Sequence, residues 1–151
     1  MEAKYINPFL DAFKKTMEQL GIKVINTDNH RKKDKLYVDL GVSSSVYLKG
    51  GIQGNIALSM NRDTAKKVTT TMMMDMNIPA NDSIVRSAIG ELSSMITGTA
   101  STMLSALGLS LQISPPIVIF ESSDVNLLET LAIDFETQLG KIELNIGFVM
   151  N

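Results

Sequence analysis

The chain has 151 residues, 44% hydrophobic and 20% charged, about one domain's worth of chain with enough apolar material for a core. Fourteen Lys plus Arg against 16 Asp plus Glu leave a net charge of -2, so the concentrated basic face that nucleic acid requires is not expected. There is no cysteine and one histidine, His30, which removes disulfides, thiolate and poly-His metal centres and a Cys nucleophile, makes a Ser–His pair improbable, and favours a binding or accessory protein.

The first residues, Met1-Glu2-Ala3-Lys4, lack the basic and then apolar run of a signal peptide. Residues 3–20 predict a helix. Tyr5, Ile6, Phe9, Leu10, Phe13, Met17 and Leu20 recur at helical spacing, Pro8 falls where a first turn tolerates it, and Gly21 is a C-terminal cap. A short strand over Ile22–Asn26 follows, then a polar loop from Thr27 to Lys35 with no apolar anchor. His30, Arg31, Lys32 and Lys33 read as solvated there. Leu36, Val38 and Leu40 open a β region, and Lys49-Gly50-Gly51 turns it into a strand over Ile52–Met60. Asn61 starts a helix over 62–75, with Val68 and several of Met72, Met73, Met74 and Met76 on its inner face as core or interface filler.

Asp82 or Ser83 is expected to cap the longest helix, about 83–107, which stops at Gly108. The uncharged stretch Leu92–Phe120 is long enough to span a bilayer, but its many Ser and Thr residues, Gly108 and Pro115-Pro116 argue against that. A cytoplasmic protein with no membrane partner is the expectation. Strands follow over Ser110–Ser114, Val118–Glu121, Asn126–Thr137 and Lys141–Met150, the last two joined at Gln138-Leu139-Gly140. Asp134, Glu136 and Glu143 read as exposed positions of that hairpin, with Lys141 able to neutralise one across the strands. Asn55–Met60 and Asn145–Met150 echo each other weakly, which leaves an internal duplication open. The class is α+β, with one domain over 1–151 and helices packed on a largely antiparallel sheet.

The long helix carries the most specific pattern. At about 100° per residue, Ser87, Glu91, Ser94, Gly98, Ser101 and Ser105 fall in one stripe roughly 80° wide. Val85, Ile89, Leu92, Met95, Ile96, Met103 and Leu107 spread over the rest and supply its core contacts. A solvated face is usually rich in long Lys, Glu and Arg; this one is short-chained and lets another surface approach. Docking, solvation and internal packing all remain open from composition alone.

The run SAIGELSSM (Ser87–Met95), followed by ISPP (Ile113–Pro116), resembles the CheC/CheX/FliY family of chemotaxis phosphatases, and within it the CheX type. The family signature is Asp or Ser, three residues, Glu, two residues, Asn, and a Pro farther on. Ser87 and Glu91 match its first two positions and Pro115-Pro116 its last, while Ser94 stands where the family has Asn. GGIQGNIALSM (Gly50–Met60) and the first helix are also similar, so the resemblance spans nearly the whole chain.

The resemblance implies a CheX-like fold and a homodimer that acts on the aspartyl phosphate of a CheY-type response regulator. Glu91 would pair with the regulator's active-site lysine, and residue 94 would orient a water in line with the acyl phosphate. Ser87, Gly98 and Pro116 would frame the docking face. The Mg²⁺ belongs to the regulator, and no cofactor or metal of the chain's own is implied. A Ser hydroxyl has the hydrogen-bonding chemistry for a water but is one bond shorter than Asn. The expectation is therefore a phosphatase weakened by Ser94. The alternative is a non-catalytic module that binds a response regulator or a motor-switch component.

Overall fold

The computed structural model describes residues 2–74, 77 and 79–151, the side chains of Thr27 and Asp28 excepted. Helical spacing in the sequence becomes α1 (Ala3–Gln19), α2 (Arg62–Met73) and α3 (Asp82–Ala106). The strands are β1 (Val24–Lys33), β2 (Leu36–Val38), β3 (Val42–Gly50), β4 (Ile52–Met60), β5 (Leu111–Ile113), β6 (Ile117–Ile119), β7 (Ser123–Asn126), β8 (Thr130–Thr137) and β9 (Gly140–Met150).

Local chemistry sets the helix ends. Asn61 accepts a hydrogen bond from the Thr64 amide at 2.8 Å, and Asn81 does the same for the Ile84 amide at 3.0 Å. The second cap falls one residue before the Asp82 or Ser83 expected. Gly21 and Gly108 take left-handed conformations just beyond the first and third helices, the cheap way to stop a helix. Pro8 lies in the second turn of α1 and not in the first.

The main sheet runs β1-β8-β9-β4-β3-β5, with β6 also on β3, and every pairing is antiparallel. The echoing segments are adjacent central strands, with Ile56 opposite Ile146. The double proline interrupts one sheet edge: β5 pairs beside Leu48–Gly50 and β6 beside Ser43–Ser45 of the same strand. This edge position suits residues that lack an amide donor. The helices cover one face, with α1 and α2 both packed on α3. Phe13 stacks on Phe135 with ring centroids 4.0 Å apart, and Phe9 meets Phe148 at 6.0 Å. The class is α+β, as the sequence predicts.

Several expectations change. The polar run from Thr27 to Lys35 is largely strand: β1 extends to Lys33 and pairs along β8 down to Lys33↔Thr130. Asp134 and Glu143 are 5% and 2% exposed, because the ribbon β2–β7 covers the sheet face turned away from the helices. There Leu36, Val38 and Ala57 form a small second core, and Arg31 and Lys33 reach the two carboxylates. Only Glu136 of the three acids is exposed, and it does stand opposite Lys141.

The predicted strand Asn126–Thr137 is two strands. The Asn126 side chain accepts from the Leu128 amide at 2.9 Å and donates to Asn55 and Gly147, so the chain turns there. Finally, the α2 methionines are not all inward. Met72 packs on the core, Met73 and Met74 are 41% and 91% exposed, and Met76 lies outside the described residues. Leu107, expected in the core, is exposed as well.

Candidate functional site

The small-residue stripe of α3 faces outward. Ser87, Glu91, Gly98 and Ser105 are exposed, and Ser94 and Ser101 are half-buried. The opposite surface, including Ile89, Leu92, Ile96, Ala100 and Leu104, is fully buried and anchors the helix. Internal packing is thereby removed as an explanation of the stripe.

Strand β6 runs beside the first half of this helix. Gly90 makes the approach close: a Cβ there would lie 3.4 Å from Pro116 Cγ and 3.5 Å from Val118 Cγ2. Between the two elements lies a groove of about 500 Å³, lined by Arg86, Ser87, Gly90, Glu91, Ser94, Pro116, Ile117 and Val118. Ser87, Glu91, Ser94 and Pro116, separated by up to 29 positions of chain (116 − 87), therefore share one concave surface. Gly98 lies on the same helix face, one turn beyond the groove, and does not line it.

Glu91 and Ser94 sit one turn apart, an axial rise of about 4.5 Å, on the same side of the helix. Among the described residues Glu91 has no ion-pair partner, so its carboxylate is available to a cation from outside. Ser93, the neighbouring hydroxyl, is 1% exposed and turned into the fold, where it cannot replace Ser94. Ile117, 64% exposed, offers an apolar rim opposite the helix.

The sequence did not mark Arg86, Gly90, Ile117 or Val118 as part of the site. Gly90 gave no signal without knowledge of what packs on it. The Arg86 guanidinium donates to the Val118 carbonyl and lies over the Phe120 ring at 4.8 Å. A second recess, about 480 Å³, opens over Ile6, Leu131 and Phe148 near the start of α1 and holds none of the motif residues.

Among the described residues no three His, Asp or Glu side chains gather as a metal site, and no helix is long and apolar enough to cross a membrane. The groove offers a carboxylate, hydroxyls and a guanidinium on a rigid frame. Such a set can position a partner and a water.

The model of the family described as chemotaxis phosphatase CheX matches residues 42–136, which include every residue of the groove. The CheY-P phosphatase CheX of Thermotoga maritima is 30% identical over 120 residues, 79% of this chain and 77% of that protein. The crystal structure of a chemotaxis protein CheX from Desulfovibrio desulfuricans superposes with a TM-score of 0.85 at 26% identity, covering 97% of this chain and 99% of that one. The CheX of a CheX–CheY–BeF3–Mg²⁺ complex from Borrelia burgdorferi gives a TM-score of 0.73 at 27% identity, covering 95% and 97%. With the family match running over most of the chain and the relatives agreeing in sequence and fold, the chain belongs to the CheX family of chemotaxis phosphatases.

Proposed function

We propose that the α3 groove docks on a phosphorylated CheY-type response regulator and speeds hydrolysis of its aspartyl phosphate. The observation that carries this reading is the convergence of Glu91, Ser94, Ser87 and Pro116 on one open groove, with no ion-pair partner for Glu91 among the described residues. The Thermotoga relative is a CheY-P phosphatase, and the Borrelia relative is in complex with CheY, BeF3 and Mg²⁺, which supports the choice of partner.

The chemistry asks little covalent work of this chain. Water attacks the phosphorus, the bond from phosphorus to the aspartyl carboxylate oxygen breaks to leave the free carboxylate, and inorganic phosphate leaves with the water's oxygen and one of its protons, the other passing to solvent. Mg²⁺ on the regulator offsets the charge, and the docked protein contributes alignment. Glu91 pairs with a lysine of the regulator and sets the register. Ser94, one turn on, hydrogen-bonds the attacking water, and Ser87, Pro116 and, beyond the groove, Gly98 complete the contact. The working unit is a cytoplasmic homodimer of a single domain, for which light scattering should give about twice 16.5 kDa.

A second reading rests on Ser94, the position where the family signature carries Asn. The groove then binds a response regulator or a motor-switch component without turnover. Phosphate release from a phosphorylated CheY-type regulator separates the two. Acceleration by the natural protein, abolished in Glu91→Ala, upholds the phosphatase. A silent natural protein that still binds the activated regulator makes it a binder.

A further inference from the structure

The wall of the groove opposite Glu91 is weakly built. Strand β6 has three residues and pairs on one side only, through Ser43↔Ile119, Ser44↔Val118 and Ser45↔Ile117. Its other side faces α3, and two prolines precede it that cannot donate to a neighbour. An edge segment of this size is not rigid by its backbone pairing alone.

Arg86 supplies the missing tie. It stands on α3 one residue before Ser87 and donates to the carbonyl of Val118, the middle residue of β6. Among the described residues no other side-chain hydrogen bond joins α3 to this strand. The same guanidinium lies 4.8 Å from the ring centroid of Phe120, just past the strand. Phe120 is held in turn by Arg62, whose Cζ is 5.1 Å from that centroid and whose Nη1 is 3.2 Å from Asp82 at the start of α3. The groove wall is thus clamped at both its middle and its end, by two planar cations on one aromatic ring.

We propose that Arg86 is a positioning residue of the groove: it holds β6 against α3 and so fixes where Pro116 and Ile117 stand relative to Glu91 and Ser94. Its influence on a docked regulator rests on the function proposed above; its influence on β6 does not. An arginine suits the role better than a lysine, because one flat group both donates to the carbonyl and covers the ring.

Two measurements on Arg86→Ala and Arg86→Lys test this. Hydrogen exchange of the full-length protein should show the 117–119 amides exchanging about tenfold faster in Arg86→Ala, with the buried turns of α3 unchanged and Arg86→Lys in between. With a phosphorylated CheY-type regulator, KM should rise about tenfold in Arg86→Ala while kcat stays within about twofold, and Arg86→Lys should recover part of the loss. Unchanged exchange at 117–119, or faster exchange spread evenly over the whole chain, overturns the proposal. Faster local exchange with an unaltered KM overturns the link to docking. If the natural protein neither releases phosphate nor binds a BeF3-activated regulator, the proposed function falls, and the exchange data alone decide whether Arg86 holds the wall.

Discussion

Lys33 Nζ lies 2.8 Å from Glu143 Oε1, with the two side chains 2% and 3% exposed, on the sheet face turned away from the helices. Lys33 also donates to Asn145 Oδ1 and the Tyr37 carbonyl, and Arg31 Nη2 bridges Glu143 at 2.5 Å and Asp134 at 3.0 Å. The charges balance and their hydrogen-bonding capacity is met, the condition for burying ions at tolerable cost.

Burial by itself would raise the Glu143 carboxyl. Hydrogen bonds from Lys33 and Asn145, the Lys33 charge and the bond from Arg31 outweigh it and hold the group below its ordinary value of 4.5. A depressed carboxylate stabilises the fold above the unfolded value and loses that contribution as pH falls through the folded one. Glu143→Gln should therefore cost about 3 kcal/mol in urea unfolding at neutral pH, because Lys33 loses its buried counter-charge. The deficit should shrink as pH falls below about 4.5, where the unfolded chain's carboxylate takes up a proton that the folded carboxylate, held lower, does not yet bind. A deficit independent of pH would disprove the linkage.

The same cluster marks where sequence reading stopped. Thr27–Lys35 offers no apolar alternation, and β propensity alone places it in a loop. It is a strand because Arg31 and Lys33 find Asp134 and Glu143, more than 100 positions later, and because β8 supplies a free edge. Complementarity between segments so far apart leaves no local period to read. Helix positions and the strand break at Pro115-Pro116 were legible, since caps, helical spacing and prolines act locally. The groove was half legible. Helical angles put Ser87, Glu91 and Ser94 together, and the resemblance added Pro116. Gly90 and Arg86 needed β6 beside them before their roles showed.

Gly54 and Gly90 make opposite predictions. At Gly54, with φ +154, an added Cβ would sit 2.1 Å from the Gly147 carbonyl oxygen and 2.5 Å from Phe148 Cα, inside the central pair of strands. Neither neighbour is a flexible side-chain end, so Gly54→Ala must part β4 from β9 and should cost about 3 kcal/mol or more. At Gly90 the added methyl meets Pro116 and Val118 at ordinary contact distances. Helix propensity favours Ala by up to about 1 kcal/mol, so Gly90→Ala should fold with Tm unchanged or slightly raised. Thermal unfolding of the two variants checks both, and equal losses would refute the reading of either close approach.

If the groove acts as proposed, the Ser94 side chain sets how much hydrolysis it aligns. Its hydroxyl can accept from and donate to a water, as a carboxamide can, but its oxygen sits on Cβ and reaches about one bond less far. A displacement of about 1 Å in a positioned water is worth on the order of 10²-fold in rate. Ser94→Asn should accordingly raise phosphate release from a phosphorylated CheY-type regulator by about 10- to 100-fold, with little change in KM, because Glu91 and the groove walls set docking and are untouched. The half-buried site has open space toward the groove for the longer side chain. Ser94→Ala should remove whatever release the natural protein supports while leaving its affinity for the BeF3-activated regulator intact. If Ser94→Asn gains nothing although it folds and binds, residue 94 does not contact the reacting water, and the groove docks the regulator without aligning its hydrolysis.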